Sequence, residues 1–375
     1  MRENNTEAVS HETGILPLVG GDTDIGIGIG AIGSVAVFDG HHRPYRWQVQ
    51  FSAFFATKSD PMSPSYEDAY VLITIPQLLH DRLRLEIRPS FTRDTTLPYY
   101  GLGNAARQPD QTEPARDFYH RIHPATSVMT RWSIAPAWSV LVGTQYVYNR
   151  TEADASSTLA MDLAAIDPRA LAPHSLLKIG TGIVYDTRDN EVSPHLGQYH
   201  QITFRTSPGM GSAFPYEYGQ LDAQARFFTP VTSRTVFAAR VVYDRLIGDV
   251  PFYELSRYED TSAIGGGMAI RGVPAYRYYG RIKLFGNLEL RRPLVHFELA
   301  GRKLKLGAAT FFDAGRLWTG IDNPRALDGN GLGLHYGLGA GLRLQQGQAF
   351  VVRADLAWSP DARPIGGYVV ADETF

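Results

Sequence analysis

The chain contains no cysteine, so disulfide staples, thiolate metal sites and a cysteine nucleophile are excluded together. It has no excess of charge of either sign. In 375 residues, 36 Lys+Arg against 38 Asp+Glu leave a formal net charge of -2, which offers no basic footprint for nucleic acid. A run of about eighteen consecutive apolar residues is missing, and the mean hydropathy of -0.19 is far from that of a helical membrane protein. The start, Met1-Arg2-Glu3-Asn4-Asn5, has no apolar signal-peptide core, so a mature or trimmed chain is expected. Linkers, composition shifts and repeats of about 20 to 50 residues are also missing, which argues for one large all-β unit rather than several domains, a propeller or a solenoid.

What is present is alternation with period two, which in a strand sends successive side chains to opposite faces. In Gly219 to Phe227 the apolar Leu221, Ala223, Ala225 and Phe227 interleave with Gln220, Asp222, Gln224 and Arg226. In Lys283 to Arg291, Leu284, Leu288 and Leu290 interleave with Lys283, Asn287, Glu289 and Arg291. Such runs are longer than the strands of a soluble sandwich. Read between turn signals they give sixteen strands, roughly 14 to 21, 25 to 38, 46 to 57, 67 to 76, 82 to 93, 118 to 134, 137 to 150, 177 to 187, 198 to 207, 217 to 228, 235 to 246, 281 to 293, 303 to 315, 335 to 345, 349 to 358 and 366 to 375.

The long connections, at about 94 to 116, 151 to 176, 248 to 280 and 316 to 335, all follow odd strands, as in a membrane barrel with short turns on one side and long loops on the other. The expected fold is therefore an all-β, sixteen-stranded antiparallel transmembrane β-barrel over 14–375, preceded by a tail at 1–13. The even count places both termini on the short-turn side. Twenty Tyr, eighteen Phe and five Trp are many, and Tyr99-Tyr100, Tyr146-Tyr148, Phe227-Phe228, Trp318 and Trp358 lie where interfacial girdles would sit.

Two motifs point elsewhere and fail in context. Gly28-Ile29-Gly30-Ala31-Ile32-Gly33 matches a dinucleotide fingerprint, but β-branched and aromatic residues follow it instead of a helix. His120 and His123 have a spacing that joins ligands on a helix, whereas in a strand they point to opposite faces. Ser and His are present without spacing that singles out a triad. No enzyme activity, metal or cofactor is expected.

The last hundred or so residues carry a more specific set: Gly265-Gly266-Gly267 with Ile270-Arg271-Gly272 in the longest loop, Asn287-Leu288-Glu289-Leu290-Arg291-Arg292-Pro293, Phe312-Asp313-Ala314-Gly315-Arg316-Leu317-Trp318, and Gly339-Ala340-Gly341-Leu342-Arg343. Upstream stand Tyr99-Tyr100-Gly101-Leu102-Gly103-Asn104 and Tyr185-Asp186-Thr187-Arg188-Asp189-Asn190. In order and spacing this set resembles the bacterial surface-antigen barrel of the outer-membrane-protein assembly factors, the BamA/TamA-like superfamily. The resemblance spans roughly residues 15 to 375. It implies that Arg271, with Gly272, reaches from the sixth long-side loop into the barrel and meets acidic residues of the wall.

Strand parity points Glu289 and Asp313 into the polar lumen, so a forked guanidinium–carboxylate pair is the expected loop anchor. Three features depart from the family pattern. Only about a dozen residues precede the first strand, where members that insert proteins carry periplasmic POTRA domains. Val273 stands where an aromatic is usual. The last strand, Gly367-Tyr368 to Phe375, ends in an aromatic that resembles a targeting signal, but Glu373 falls on the face of Phe375.

The expected function is that of a POTRA-less relative aiding insertion or translocation of outer-membrane or surface proteins or lipids. The alternative is a pore or structural surface antigen without insertase activity. The expected location is the outer membrane of a Gram-negative-type bacterium with periplasmic termini. Expected partners are outer-membrane lipid, client outer-membrane proteins and a separate periplasmic chain, with no nucleic acid. The seam between first and last strands is expected to be weak, because Gly20, Gly21, Gly366 and Gly367 add no side-chain packing and Pro17 removes a ladder donor.

Overall fold

A computed structural model describes residues 10–375 except 23–24, 43–44, 59–63, 108–113, 300–301, 323, 347–349, 363–364 and 372. Most of the expected tail, residues 1–9, therefore lies outside the described residues. The strands are β1 (Ser10–Asp22), β2 (Gly26–Phe38), β3 (Trp47–Thr57), β4 (Tyr66–Leu78), β5 (Leu83–Pro98), β6 (Phe118–Ile122), β7 (Ala125–Ala135), β8 (Trp138–Glu152), β9 (His174–Asp186), β10 (Gly197–Pro208), β11 (Glu217–Thr232) and β12 (Thr235–Gly248). A two-residue pair, β13 (Arg257–Tyr258) and β14 (Thr261–Ser262), forms a hairpin inside the longest loop. The sheet then continues with β15 (Ile282–Leu299), β16 (Arg302–Trp318), β17 (His335–Gln346), β18 (Phe350–Trp358) and β19 (Gly366–Ala371).

Each strand of the large sheet pairs antiparallel with its neighbours in chain order. β6 and β7 lie end to end between β5 and β8, where the sequence reading drew one strand. The break falls at His123-Pro124, because Pro124 has no N–H to give to the ladder. Hydrogen bonds from His123 N to Thr92 O and from Tyr148 N to Pro124 O carry the pairing across it.

The faces are inverted relative to a soluble protein. Along β15, Lys283, Asn287, Glu289 and Arg291 are buried while Leu284, Leu288 and Leu290 are exposed. On β11 the buried Gln220, Asp222 and Gln224 alternate with the exposed Leu221. Ile179, Ile183, Ile202, Phe204, Leu338, Leu342 and Leu356 extend the outward apolar surface around the barrel. A continuous apolar exterior over a charged interior is stable only where hydrocarbon replaces water outside. Paired strands satisfy the backbone that such a medium cannot.

The glycine motif lies within β2, where Phe54 and Phe51 of β3 cover Gly28, Gly30 and Gly33. Of the expected girdle residues, Tyr146, Phe227 and Trp358 do face outward. Tyr99, Tyr100 and Phe228 instead turn inside.

The long connections gather at one end around a buried apolar cluster that includes Tyr99, Tyr119, Tyr216, Phe252, Tyr253 and Tyr279. One holds a helix that the strand reading passed over, α1 (Thr158–Ile166), capped by the Ser157 side chain accepting from Ala160 N and buried through Leu159 and Leu163.

Candidate functional site

The loop between β12 and β15 folds back into the lumen. Arg271, at its tip, is fully buried and grips Asp313 of β16 with two parallel bonds, Nε to Oδ2 at 2.7 Å and Nη2 to Oδ1 at 2.9 Å. Its own backbone N–H donates to the same Oδ2 at 3.1 Å. The remaining Nη1 lies 2.6 Å from Glu289 Oε1 of β15 and 3.1 Å from Asp355 Oδ2 of β18. The guanidinium stacks on the Phe311 ring at 3.4 Å.

Both expected carboxylates thus meet Arg271, and β18 supplies a third. Asp355 also takes Arg353 and Arg343, each at 2.5 Å, and Glu289 takes Arg291 at 2.7 Å. Burial opposes the charge on Arg271, but Asp313 and Glu289 outweigh it and hold the guanidinium protonated well above its ordinary value.

Gly272 has φ of +93°, and its N–H donates to the Tyr368 hydroxyl of β19 at 2.9 Å. A side chain there would be strained by the backbone and would press on the main chain of Trp358. Val273 is buried between Ile264, Ile270 and Phe285, so a smaller apolar side chain fills the place where an aromatic is usual.

The loop has further holds that the sequence reading did not find. Lys178 Nζ meets Glu254 at 2.8 Å, and Lys283 Nζ donates to the carbonyls of Glu254 and Arg257. Across the lumen, the hairpin tip puts Asp260 on Arg88 at 3.0 Å and on Gln145 at 3.1 Å, with Glu259 3.6 Å from Arg205. Enclosure by the barrel opposes ionisation of Asp260, yet Arg88 and Arg257 hold its carboxyl below the ordinary aspartate value. A cavity of about 370 Å³ remains beside this tip, lined in part by Tyr70, Glu86, Ser127 and Thr203. The alternation of β18 turns Arg353 and Asp355 to the buried face, but nothing local in the sequence ties them to Arg271.

The seam departs from the expectation in the extent of its last strand. β1 makes a thirteen-residue ladder with β2, and β19 a six-residue ladder with β18. The two strands run side by side, but no ladder joins them among the described residues. Pro17 is exposed on β1, and Tyr368 turns inward under the loop tip. The last strand does not run to Phe375 as expected. It ends at Ala371, and residues 373–375 leave the sheet for the lumen because side chains of three other strands take hold of them. Gly367 stays in the ladder, opposite Leu356, whereas Phe375 packs with Phe228, Val236 and Ala238.

An outward apolar belt, a charged lumen and a long loop fixed inside it by a buried arginine define a transmembrane β-barrel with an internal loop. The Omp85 superfamily domain matches residues 56–366, and the chain belongs to that superfamily. BamA from Haemophilus ducreyi lacking POTRA domains 1-3 is similar in fold, with a TM-score of 0.59 at 13% identity, covering 98% of this chain and 70% of that one. CdiB from Escherichia coli gives 0.60 at 14%, covering 96% and 62%, and CdiB from Acinetobacter baumannii gives 0.51 at 11%, covering 97% and 66%. The chain thus spans about two thirds of the length of these proteins. No curated protein matches it in sequence. It is an outer-membrane β-barrel of the translocation and assembly family, resembling BamA in its barrel.

Proposed function

We propose that the protein aids insertion or translocation of outer-membrane or surface polypeptides or lipids by opening between β1 and β19. The observation that carries this reading is a seam with no ladder among the described residues: thirteen residues of β1 present an edge beside a last strand of only six. An unpaired edge in hydrocarbon is costly, and it is a template onto which another strand can add by backbone pairing. Pro17 and the glycines at 20, 21, 366 and 367 keep the local pairing weak.

Arg271 with Gly272, Glu289 and Asp313 acts as the loop anchor, and Tyr368 ties that anchor to the moving strand. The 14–375 unit works as one barrel, with its termini on the periplasmic side and lipid against the apolar belt. Its clients are outer-membrane proteins, and a separate periplasmic chain presents them.

A cysteine pair engineered between β1 and β19, in a chain with no native cysteine, tests this. Oxidation should abolish acceleration of client insertion into liposomes, and reduction should restore it. Equal activity of locked and unlocked protein, or ion conduction by both without any acceleration, would replace this reading with a pore or structural surface antigen.

A further inference from the structure

The lumenal wall formed by β11, β12, β15 and β17 holds residues 373–375 as a receptor holds a peptide. Arg240 Nη1 donates to Thr374 O at 3.0 Å, Arg291 Nη2 donates to Phe375 O at 3.2 Å, and Arg343 Nε donates to Glu373 Oε2 at 3.1 Å. The Thr374 hydroxyl donates to Glu289 Oε1 at 3.2 Å and accepts from Arg271 Nη1 at 3.3 Å. Phe375 sits between Phe228, Val236 and Ala238, with the Arg291 guanidinium 4.9 Å from its ring centre. Every residue of the segment is thus read separately: an acid by a guanidinium, a hydroxyl by the anchor pair, and an aromatic by an apolar pocket with cationic walls.

Two further observations mark this wall as a site rather than a packing accident. Among the described residues, Arg271, Arg291, Arg343 and Arg353 pair with the wall carboxylates Glu289, Asp313 and Asp355, and Glu373 joins them as a further anion, 3.1 Å from Arg343 and 3.9 Å from Arg291. Arg291 Nη1 is buried and has no hydrogen-bond partner among the described residues, leaving a donor for another ligand oxygen.

We propose that this wall is a peptide-binding site for an extended segment of the form acid, hydroxyl, aromatic, occupied here by residues 373–375 and able to take the same segment supplied by another chain. It deepens the seam reading and rests on it in one respect: occupancy draws the end of β19 away from β1, so displacement of the segment frees that end. A separate ligand would therefore compete with the protein's own last residues.

The test uses the full chain in detergent with Glu373, Thr374 and Phe375 all replaced by glycine. The probe is a fluorescein-labelled peptide of sequence Val-Ala-Asp-Glu-Thr-Phe, followed by anisotropy. Saturable binding is expected, at least tenfold tighter than to the unaltered protein, whose site is filled. Adding Arg291→Ala with Arg343→Ala, or replacing the peptide's Phe by Ala, should weaken binding at least tenfold. Equal binding to altered and unaltered protein, or binding indifferent to the arginines, would overturn the proposal.

A second measurement does not depend on how the variants fold. A benzophenone amino acid at position 375 of the otherwise unaltered chain should crosslink to the β11–β12 segment, and excess free peptide should suppress that crosslink. Crosslinking to β1 or to lipid instead would also overturn it. Neither readout involves client insertion, so a failure here and a failure of the seam reading are distinguishable.

Discussion

Replacing Arg271 by alanine should release the loop from its deep end. The guanidinium and its Asp313 and Glu289 partners have side chains that are 0% exposed, so water does not screen the pairs. Breaking a buried pair from one side costs about 3 to 5 kcal/mol, because the abandoned carboxylates stay buried. At about 1.4 kcal/mol per tenfold, local opening of the loop tip should rise by roughly two to four powers of ten. The partly exposed pairs at the far tip, Asp260 with Arg88 and Glu259 with Arg205, are each worth only about 0.2 to 1 kcal/mol and cannot compensate. Limited proteolysis of 249–281 in detergent measures this opening, with heat-modifiable gel migration as the check that the barrel itself persists. Arg271→Lys should recover only part of the protection, since an ammonium cannot fork across both Asp313 oxygens. Protection of the Arg271→Ala loop within twofold of the unaltered protein would refute the anchor.

Gly337→Ala should loosen the same tip without touching a charge: a Cβ there would collide with the carbonyl oxygen of Arg271, at a cost of about 1 to 3 kcal/mol, whereas Gly320→Ala, with open space around it, should leave loop proteolysis unchanged. The far dock should be insensitive to moderate acid. Because the Asp260 carboxyl is held below its ordinary value in the folded chain, its contribution is present above about pH 4 and is lost only as pH falls through the depressed value. A spin label at Thr261→Cys should therefore keep its restricted mobility from pH 7 to about 4.5, and release between pH 5 and 7 would contradict the assignment. Leu288→Arg on the outward face of β15 should cost about 2 to 4 kcal/mol in a urea titration in lipid, and a midpoint unchanged from the unaltered protein would argue against hydrocarbon there.

Strand parity made the inward direction of Glu289 and Asp313 legible in the sequence, and the family resemblance pointed Arg271 at them. Once Leu284, Leu288 and Leu290 are assigned outward, Glu289 can only face inward, and the same rule turns Asp313 toward it. The rule works because side-chain direction in a strand is a local property of period two. It could not reveal Asp355 as a third partner, since that depends on how far β18 curves round to the loop tip. Nor could it reveal the dock of Asp260 on Arg88, which joins residues 172 positions apart. Helix α1 was hidden for a different reason: nine residues with a buried Leu159 and Leu163 are too short a stretch to stand out inside a long connection read as loop.

The last strand shows the limit most clearly. Its alternation failed at Glu373 and Phe375, and the failure was real, because those residues are not in the sheet. A residue in the closing strand must place apolar side chains outward, whereas Glu373 and Phe375 both satisfy partners inside, one on Arg343 and one beside Arg291. Thr374 then shares the Arg271–Glu289 pair, and Tyr368 receives the Gly272 N–H. The loop tip and the last strand are therefore held by the same few groups, and neither can move far without breaking bonds to the other. An opening of the seam at β19 must either carry the loop tip with it or first surrender Tyr368 and Thr374, so a substitution at Arg271 reaches the seam directly even though Arg271 lies on neither strand that forms it.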